Sequence, residues 1–325
     1  MSALAARLGR APVYARIAAG AVRRLPAAAR LLAGSPRPAA LVWFGAAPGD
    51  DLLLTPVLRA LHESGRAPLW VMSRHPGLFA GNPHVARVVP YDDALAAALG
   101  LLGVPRLRLR YHEYDAAADR SLAPPEHVIA LLARRAGVEG RVRLAPELYL
   151  TPEESARGRL APRQVAIQST GRGAAMHIAN KEWFPERFQE VVRLLGGELT
   201  FVQLGSAADP PLEGALDLRG KTSLREAAAI LQQSVAFVGL VGFLMHLARA
   251  VGTPGVIVYG GREHPSQSGY PENHNLYTPM PCGPCWLWNR CDFGRACMDA
   301  VAAGDVAVAL VDVVAGRAAA AGGAA

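Results

Sequence analysis

Ala40-Leu41-Val42-Trp43-Phe44, then Gly45-Ala46-Ala47-Pro48-Gly49, then Asp50-Asp51-Leu52-Leu53-Leu54 and on to Leu61, is the stretch that decides the architecture. Its first five residues are continuously apolar and bounded by Pro38 and Gly45, which reads as a buried strand. The run from Asp51 to Leu61 reads as a helix. A strand, a glycine-containing turn and a helix open a parallel α/β unit, and ligands bind such units at the carboxyl ends of the strands. Pro48, Gly49 and Asp50 occupy that turn.

The same rhythm continues outward. Strands are expected at 69–72 and 86–89, with a helical pattern at 126–136. Residues 140–164 are rich in Pro, Arg and Glu, which marks a boundary. Beyond it come strands at 165–168, 199–204, 236–238 and 256–258 and helices at 185–195 and 243–251. Ser223 with Glu226 forms a capping box for a helix running to Gln232, and an Ala-rich helix follows Asp305. The expected organisation is a basic extension over 1–38, a Rossmann-like domain over 39–160 and a second over 161–325, facing each other across a cleft. Such a cleft suits a ligand with two dissimilar halves.

A chain of 325 residues is long enough for two cores, and with 51% apolar and 19% charged residues it has the material to fill them. No apolar run reaches the ~18 to 20 residues of a membrane-spanning helix. The net charge of +7 is concentrated: residues 1–49 hold seven Arg, no Lys and no carboxylate, so the remainder is nearly neutral. That distribution argues against a nucleic-acid partner, which would need basic residues spread over a folded face. It leaves residues 1–37 as a solvated extension or as a peripheral contact with an anionic membrane. The segment lacks the apolar stretch of a secretory signal, so a cytoplasmic location is expected, at most peripheral on the inner membrane.

The chemistry-bearing residues form an ordered series. Gly49-Asp50 followed by Leu and Thr residues, Pro56 and Arg59-Ala60-Leu61 resembles a signature of glycosyltransferase family 9, the ADP-heptose:lipopolysaccharide heptosyltransferase family. Ser169-Thr170-Gly171 and Lys181-Glu182-Trp183-Phe184-Pro185 are similar to the family's small-residue loop and its Lys-Trp-Pro helix start. Leu218 to Glu226 matches a further stretch, and Val238-Gly239-Leu240-Val241-Gly242-Phe243-Leu244-Met245-His246-Leu247-Ala248 aligns with its Val-Gly-Asn-Asp-Ser-Gly-Pro-Met-His-Leu-Ala block. Here Val241 stands where the acid usually sits, and Gly242 and Phe243 replace the hydroxyl residue and the glycine. Tyr259-Gly260-Gly261-Arg262-Glu263-His264-Pro265 lies near the family's Phe-Gly-Pro-Thr-Asp-Pro.

The resemblance covers about residues 39–300 and implies a GT-B fold and an inverting, metal-independent transfer. It implies an ADP-heptose-like donor, bound mostly by the second domain, and a lipopolysaccharide-type or other surface glycan acceptor on the first. Asp50 is then the general base, as a cleft-facing carboxylate could be for an acceptor hydroxyl; an acidic helix N-cap is the plain alternative. Lys181 would oppose the charge growing on the leaving diphosphate, whereas a solvated surface lysine is its alternative. Donor contacts are expected from Ser169, Thr170, Gly171, Gly242, His246, Gly260, Gly261 and Arg262, with His246 also readable as a packed helix histidine and the paired glycines as a surface turn.

All four cysteines, Cys282, Cys285, Cys291 and Cys297, fall in one span, 282–297. Four thiols so close together read as a structural zinc or iron site, with disulfides as the rival in an exported chain. Some relatives that modify autotransporters ligate iron through cysteines. The rival functions are a same-fold transferase with a different nucleotide sugar or a protein acceptor, and a non-catalytic assembly protein using the cysteine loop as an interaction module.

Overall fold

The computed structural model describes residues 3–322 apart from Ala46 and Ala175. A four-stranded parallel sheet carries β1 (Ala40–Trp43), β2 (Leu69–Ser73), β3 (Arg87–Pro90) and β4 (Arg106–Arg108) in the order β3-β2-β1-β4. Around it lie α1 (Ala3–Ala33), α2 (Pro48–Glu63), α3 (Asp93–Leu101) and α4 (Val128–Arg135). A short antiparallel hairpin, β5 (Tyr114–Asp115) with β6 (Arg120–Ser121), extends from this lobe, and α5 (Pro152–Arg157) leads to the next.

The second sheet is also parallel and holds β7 (Gln164–Ile167), β8 (Thr200–Gln203), β9 (Leu216–Asp217), β10 (Ala236–Leu240), β11 (Gly255–Gly260) and β12 (His274–Tyr277). Its order is β12-β11-β10-β7-β8-β9. The helices are α6 (Pro185–Leu195), α7 (Leu224–Gln233), α8 (Phe243–Ala250), α9 (Pro265–Ser268), α10 (Ala296–Asp299) and α11 (Ala303–Gly322). The architecture is α/β with two Rossmann-like halves, as the strand–helix alternation predicts.

In each sheet the chain reverses direction beside its first strand: β4 returns to the free side of β1, and β10 to the free side of β7. The carboxyl ends at such reversals are where α/β proteins open a crevice. Asp50 follows β1 and Gly242 follows β10, so the two turns stand at the two switch points. One apolar cluster joins the lobes, with Leu54, Val57, Leu58 and Leu61 of α2 in the same buried group as Leu244, Met245 and Leu247 of α8.

Helix α2 begins at Pro48, three residues before the expected start, which places Asp50 in its first turn. Proline suits that position because the first amides of a helix have no partner inside it. Pro56 lies inside α2 and cannot donate to the Leu52 carbonyl; the Thr55 hydroxyl does so instead, at 2.8 Å. The capping box of α7 is present as read, with reciprocal bonds between Ser223 and Glu226.

The basic extension is not a loose arm. It forms α1, which passes through Pro12 and Pro26 and packs along α3, burying Ala21 and Ala28. Gly20 permits the approach: a Cβ there would lie 2.9 Å from the Cβ of Ala94. Arg24 pairs with Asp92 at 2.7 Å across the same contact. Tertiary burial of small residues thus outweighs the helix-breaking prolines. The arginines at 7 and 10 lie outside the described side chains.

Candidate active site

Asp50 is half-buried at the mouth of the crevice. Its carboxylate rests against Gly45, where an added Cβ would stand 2.3 Å from Asp50 Oδ2, so only glycine leaves the side chain in this position. The carboxyl is pushed up to about 7, first by burial and then by the charge of Asp51. Lys181 and a hydrogen bond from the Ala47 amide pull the other way.

Lys181 comes from the second lobe, at the end of a single helical turn, Ala179–Lys181. Its Nζ lies 2.7 Å from Glu263 Oε1, and both side chains are largely buried. Glu263 also pairs with Arg262 and accepts a hydrogen bond from Ser268 Oγ at 2.9 Å. Burial alone would raise its carboxyl, but Lys181 and Arg262 hold it down to about 2. Burial lowers the Lys181 ammonium, and Glu263 works against that shift. The crevice therefore sets a proton-seeking carboxylate facing a cation that a second carboxylate retains.

The 169–171 loop is differently employed from the expectation. Ser169 Oγ donates to the Pro210 carbonyl at 3.0 Å and accepts from Gln203 Nε2, also at 3.0 Å. Thr170 Oγ1 accepts from the Arg172 amide, and the Gly171 amide donates to Glu182 Oε1 at 2.9 Å. The Ser169 hydroxyl and the Gly171 amide are thus engaged within their own lobe and are not free donors to a diphosphate.

At the other switch point, Val241 is buried and Gly242 leaves open space where a side chain would be. Helix α8 starts there without a side-chain cap. Gly49 faces this start closely, its hypothetical Cβ lying 3.7 Å from Phe243 Cα and 3.9 Å from His246 Cδ2. His246 is buried, with Nδ1 2.6 Å from the Tyr270 hydroxyl. Burial, and then the Lys181 charge, lower its imidazole to about 3. It is a neutral hydrogen-bonding group at physiological pH and supplies no cation to a diphosphate.

Residues 156–286 match the family model described as glycosyltransferase family 9 (heptosyltransferase). They form a glycosyltransferase family 9 domain. Over these residues the match agrees with the resemblance seen in the sequence. The whole fold superposes on solved members of that group. E. coli ADP-heptose lps heptosyltransferase II is 19% identical, with a TM-score of 0.63 over 86% of this chain and 99% of its own. The iron-containing dodecameric glycosyltransferase TibC from enterotoxigenic E. coli H10407 is 20% identical, with a TM-score of 0.66 over 85% of this chain and 76% of its own. TibC in complex with ADP-D-beta-D-heptose gives 17% identity and a TM-score of 0.64 over 86% and 77%. At these identities the neighbours establish the GT-B fold. No curated protein matches the chain.

Within the matched region, the paired glycines at the end of β11 make room for protein rather than for a ligand. A Cβ on Gly260, which has φ +57°, would stand 2.6 Å from Met298 Sδ, and one on Gly261 would stand 3.0 Å from Cys297 Cβ. Arg262 is buried, bound through Nε to the Leu287 carbonyl at 2.7 Å and lying over the Trp286 ring. Its charge is directed at Glu263, not at a lost donor contact. Sequence reasoning singled out Arg262 and passed over its neighbour Glu263, the carboxylate that organises Lys181. Tyr111 and His112, which follow β4 at the first switch point, were also missed, because β4 reads Arg106-Leu107-Arg108 and offers no apolar run. The Tyr111 phenol is raised by burial and by Asp50, and the His112 imidazole is lowered by burial and by Lys181.

Cys282, Cys285, Cys291 and Cys297 are free thiols and line one cavity of about 200 Å³ together with Arg120, Arg262 and Arg295. The donor set is chemically right for zinc or iron. The arrangement is not closed: among the described residues, no three His, Cys, Asp or Glu side chains are gathered tightly enough to hold a metal ion. The loop has other anchors, since Asp119 of the hairpin accepts from the Asn289 and Arg290 amides at 2.7 Å each and Trp286 Nε1 donates to Gln267 at 2.9 Å.

Proposed function

We propose that this glycosyltransferase moves a heptose or related sugar, with inversion, from an ADP-heptose-like donor to a lipopolysaccharide-type or other surface glycan. The observation that carries the reading is Asp50 with its raised proton affinity opposite the Lys181–Glu263 pair. In an inverting displacement, the acceptor oxygen forms a bond to the anomeric carbon as the bond from that carbon to the diphosphate oxygen breaks. Asp50 takes the hydroxyl proton, and a carboxyl poised near neutral pH is suited to hold it. The electron pair of the broken bond leaves on the diphosphate, whose growing charge Lys181 opposes without moving.

The donor diphosphate is assigned to the uncapped start of α8 at Gly242, where backbone amides and the helix dipole favour an anion. His246 contributes as a neutral hydrogen-bond donor, its Nδ1 engaged by Tyr270. The donor identity is supported by TibC, which was solved in complex with ADP-D-beta-D-heptose. A second nucleotide sugar is favoured by one observation, that Val241 and Gly242 put neither an acid nor a hydroxyl beside that helix start. Thermal-shift measurements across nucleotide sugars separate the two, because a ligand at ~100 times its Kd adds ~2.7 kcal/mol of stability. A shift with another nucleotide sugar and none with ADP-heptose would discard the heptose donor.

A further inference from the structure

Asp51 follows Asp50 in the first turn of α2, and only 1% of it is exposed. Its Oδ2 accepts the Ser73 hydroxyl at 2.6 Å and His75 Nδ1–H at 2.9 Å. The His75 amide in turn donates to Ser73 Oγ at 2.7 Å, so the hydroxyl receives one hydrogen bond and passes its own proton to Asp51. Both partners stand at the carboxyl end of β2, beside the strand that delivers Asp50. The other carboxylate oxygen, Oδ1, is buried without a partner among the described residues. A half-satisfied buried carboxylate is costly to the fold. Burial raises the Asp51 carboxyl to about 6, and the bonds from Ser73 and His75 act against that rise.

We propose that Asp51, which accepts hydrogen bonds from Ser73 and His75, is a positioning residue whose buried carboxylate lets Asp50 retain the proton it takes from the acceptor. This rests on Asp50 being the base. Of the groups that face Asp50, Lys181 from the second lobe and the Ala47 amide favour its ionised form. Tyr111 after β4 is a neutral phenol, and His246, whose ring edge meets Gly49, is a neutral imidazole. Glu263 is engaged with Lys181 and Arg262. Asp51 alone among these opposes ionisation. Burial still raises the Asp50 carboxyl without it, but the one charge that opposes the Lys181 field is lost, so Asp50 holds its proton less firmly. The anion is set behind the base, within the protein, where water and salt screen it little.

The test is a pH titration of the Asp carboxyl carbons by NMR on the unliganded full-length chain. The Asp50 signal is assigned by its loss in Asp50→Asn. Replacing Asp51 by Asn keeps the shape and removes the charge, and the Asp50 midpoint should fall by about one pH unit or more. Ser73→Ala is the milder second variant, in case the first does not fold. By removing a bond to the ionised form of Asp51 it should move the Asp50 midpoint in the same direction by less. An Asp50 midpoint that stays in place or rises in the folded variant overturns the inference. Because no substrate is present, that result is independent of whether Asp50 is the base, which the rate of Asp50→Asn decides separately.

Discussion

Lys181 Nζ lies 2.7 Å from Glu263 Oε1, joining residues 82 positions apart at the centre of the cleft. The lysine reaches the site because a buried carboxylate receives it. Glu263 balances two cations, Lys181 and Arg262, so removing its charge would leave both facing each other in a poorly solvated place. Glu263→Gln should destabilise the fold by about 3–5 kcal/mol, the scale for breaking a buried pair from one side. Urea unfolding measures this, and an unchanged midpoint would mean that water already compensates the cations.

Lys181→Ala leaves Glu263 paired with Arg262, so the fold should persist. Affinity for ADP, read by calorimetry, and the transfer rate should fall together, because the cation meets both the bound diphosphate and the charge that develops on it. Unaltered affinity and rate would return Lys181 to a structural part in holding Glu263.

The pH dependence follows from Asp50. A base whose carboxyl is raised to about 7 is protonated below that value, so kcat/KM should rise with pH through about 7 and level off above it. Asp50→Asn should lower transfer by about 10²- to 10⁴-fold and abolish that limb. Stability runs in the opposite sense. A carboxyl whose folded value exceeds its ordinary 3.8 costs the fold increasingly as pH rises from about 4 through about 7. Asp50→Asn should therefore raise Tm at pH 8 and leave it nearly unchanged below pH 4; equal changes at both would contradict the shift.

Truncating residues 1–37 is a poor test of membrane contact, since α1 covers Ala96, Ala98 and Leu99 of α3 in a shared apolar cluster. Arg16, Arg23 and Arg30 are exposed and can be changed without touching Ala21 or Ala28. Replacing all three by Gln should reduce partition onto anionic lipid vesicles, at about 1 kcal/mol per charge. Equal partition of variant and parent would remove the membrane role.

The cysteine loop is tested by elemental analysis of protein purified without chelators. About one zinc or iron per chain is expected, which would require the four thiols to close in from their present cavity. Metal-free protein with four titratable thiols would leave the loop held by its hydrogen bonds, those of Trp286, Asp119 and Arg262 among them.

What the sequence determined by itself is what local pattern can carry. The apolar run at 40–44, the glycine turn and the helix after it, repeated in the second half, specify strands and helices because their periods lie within a few residues of one another. The ordered motifs likewise put Asp50 and Lys181 at or before helix starts and His246 just inside one, and so indicated the family. Only the tertiary structure decided what these side chains do there. Ser169, Gly171 and the 260–262 turn read as donor contacts until distant partners, Pro210, Glu182, Met298 and Cys297, were brought against them. Glu263 joined Lys181, Ser73 and His75 joined Asp51, and Tyr270 joined His246 through contacts between segments far apart in the chain. Proton affinity and charge depend on burial and on those neighbours, and neither can be read from spacing along the chain.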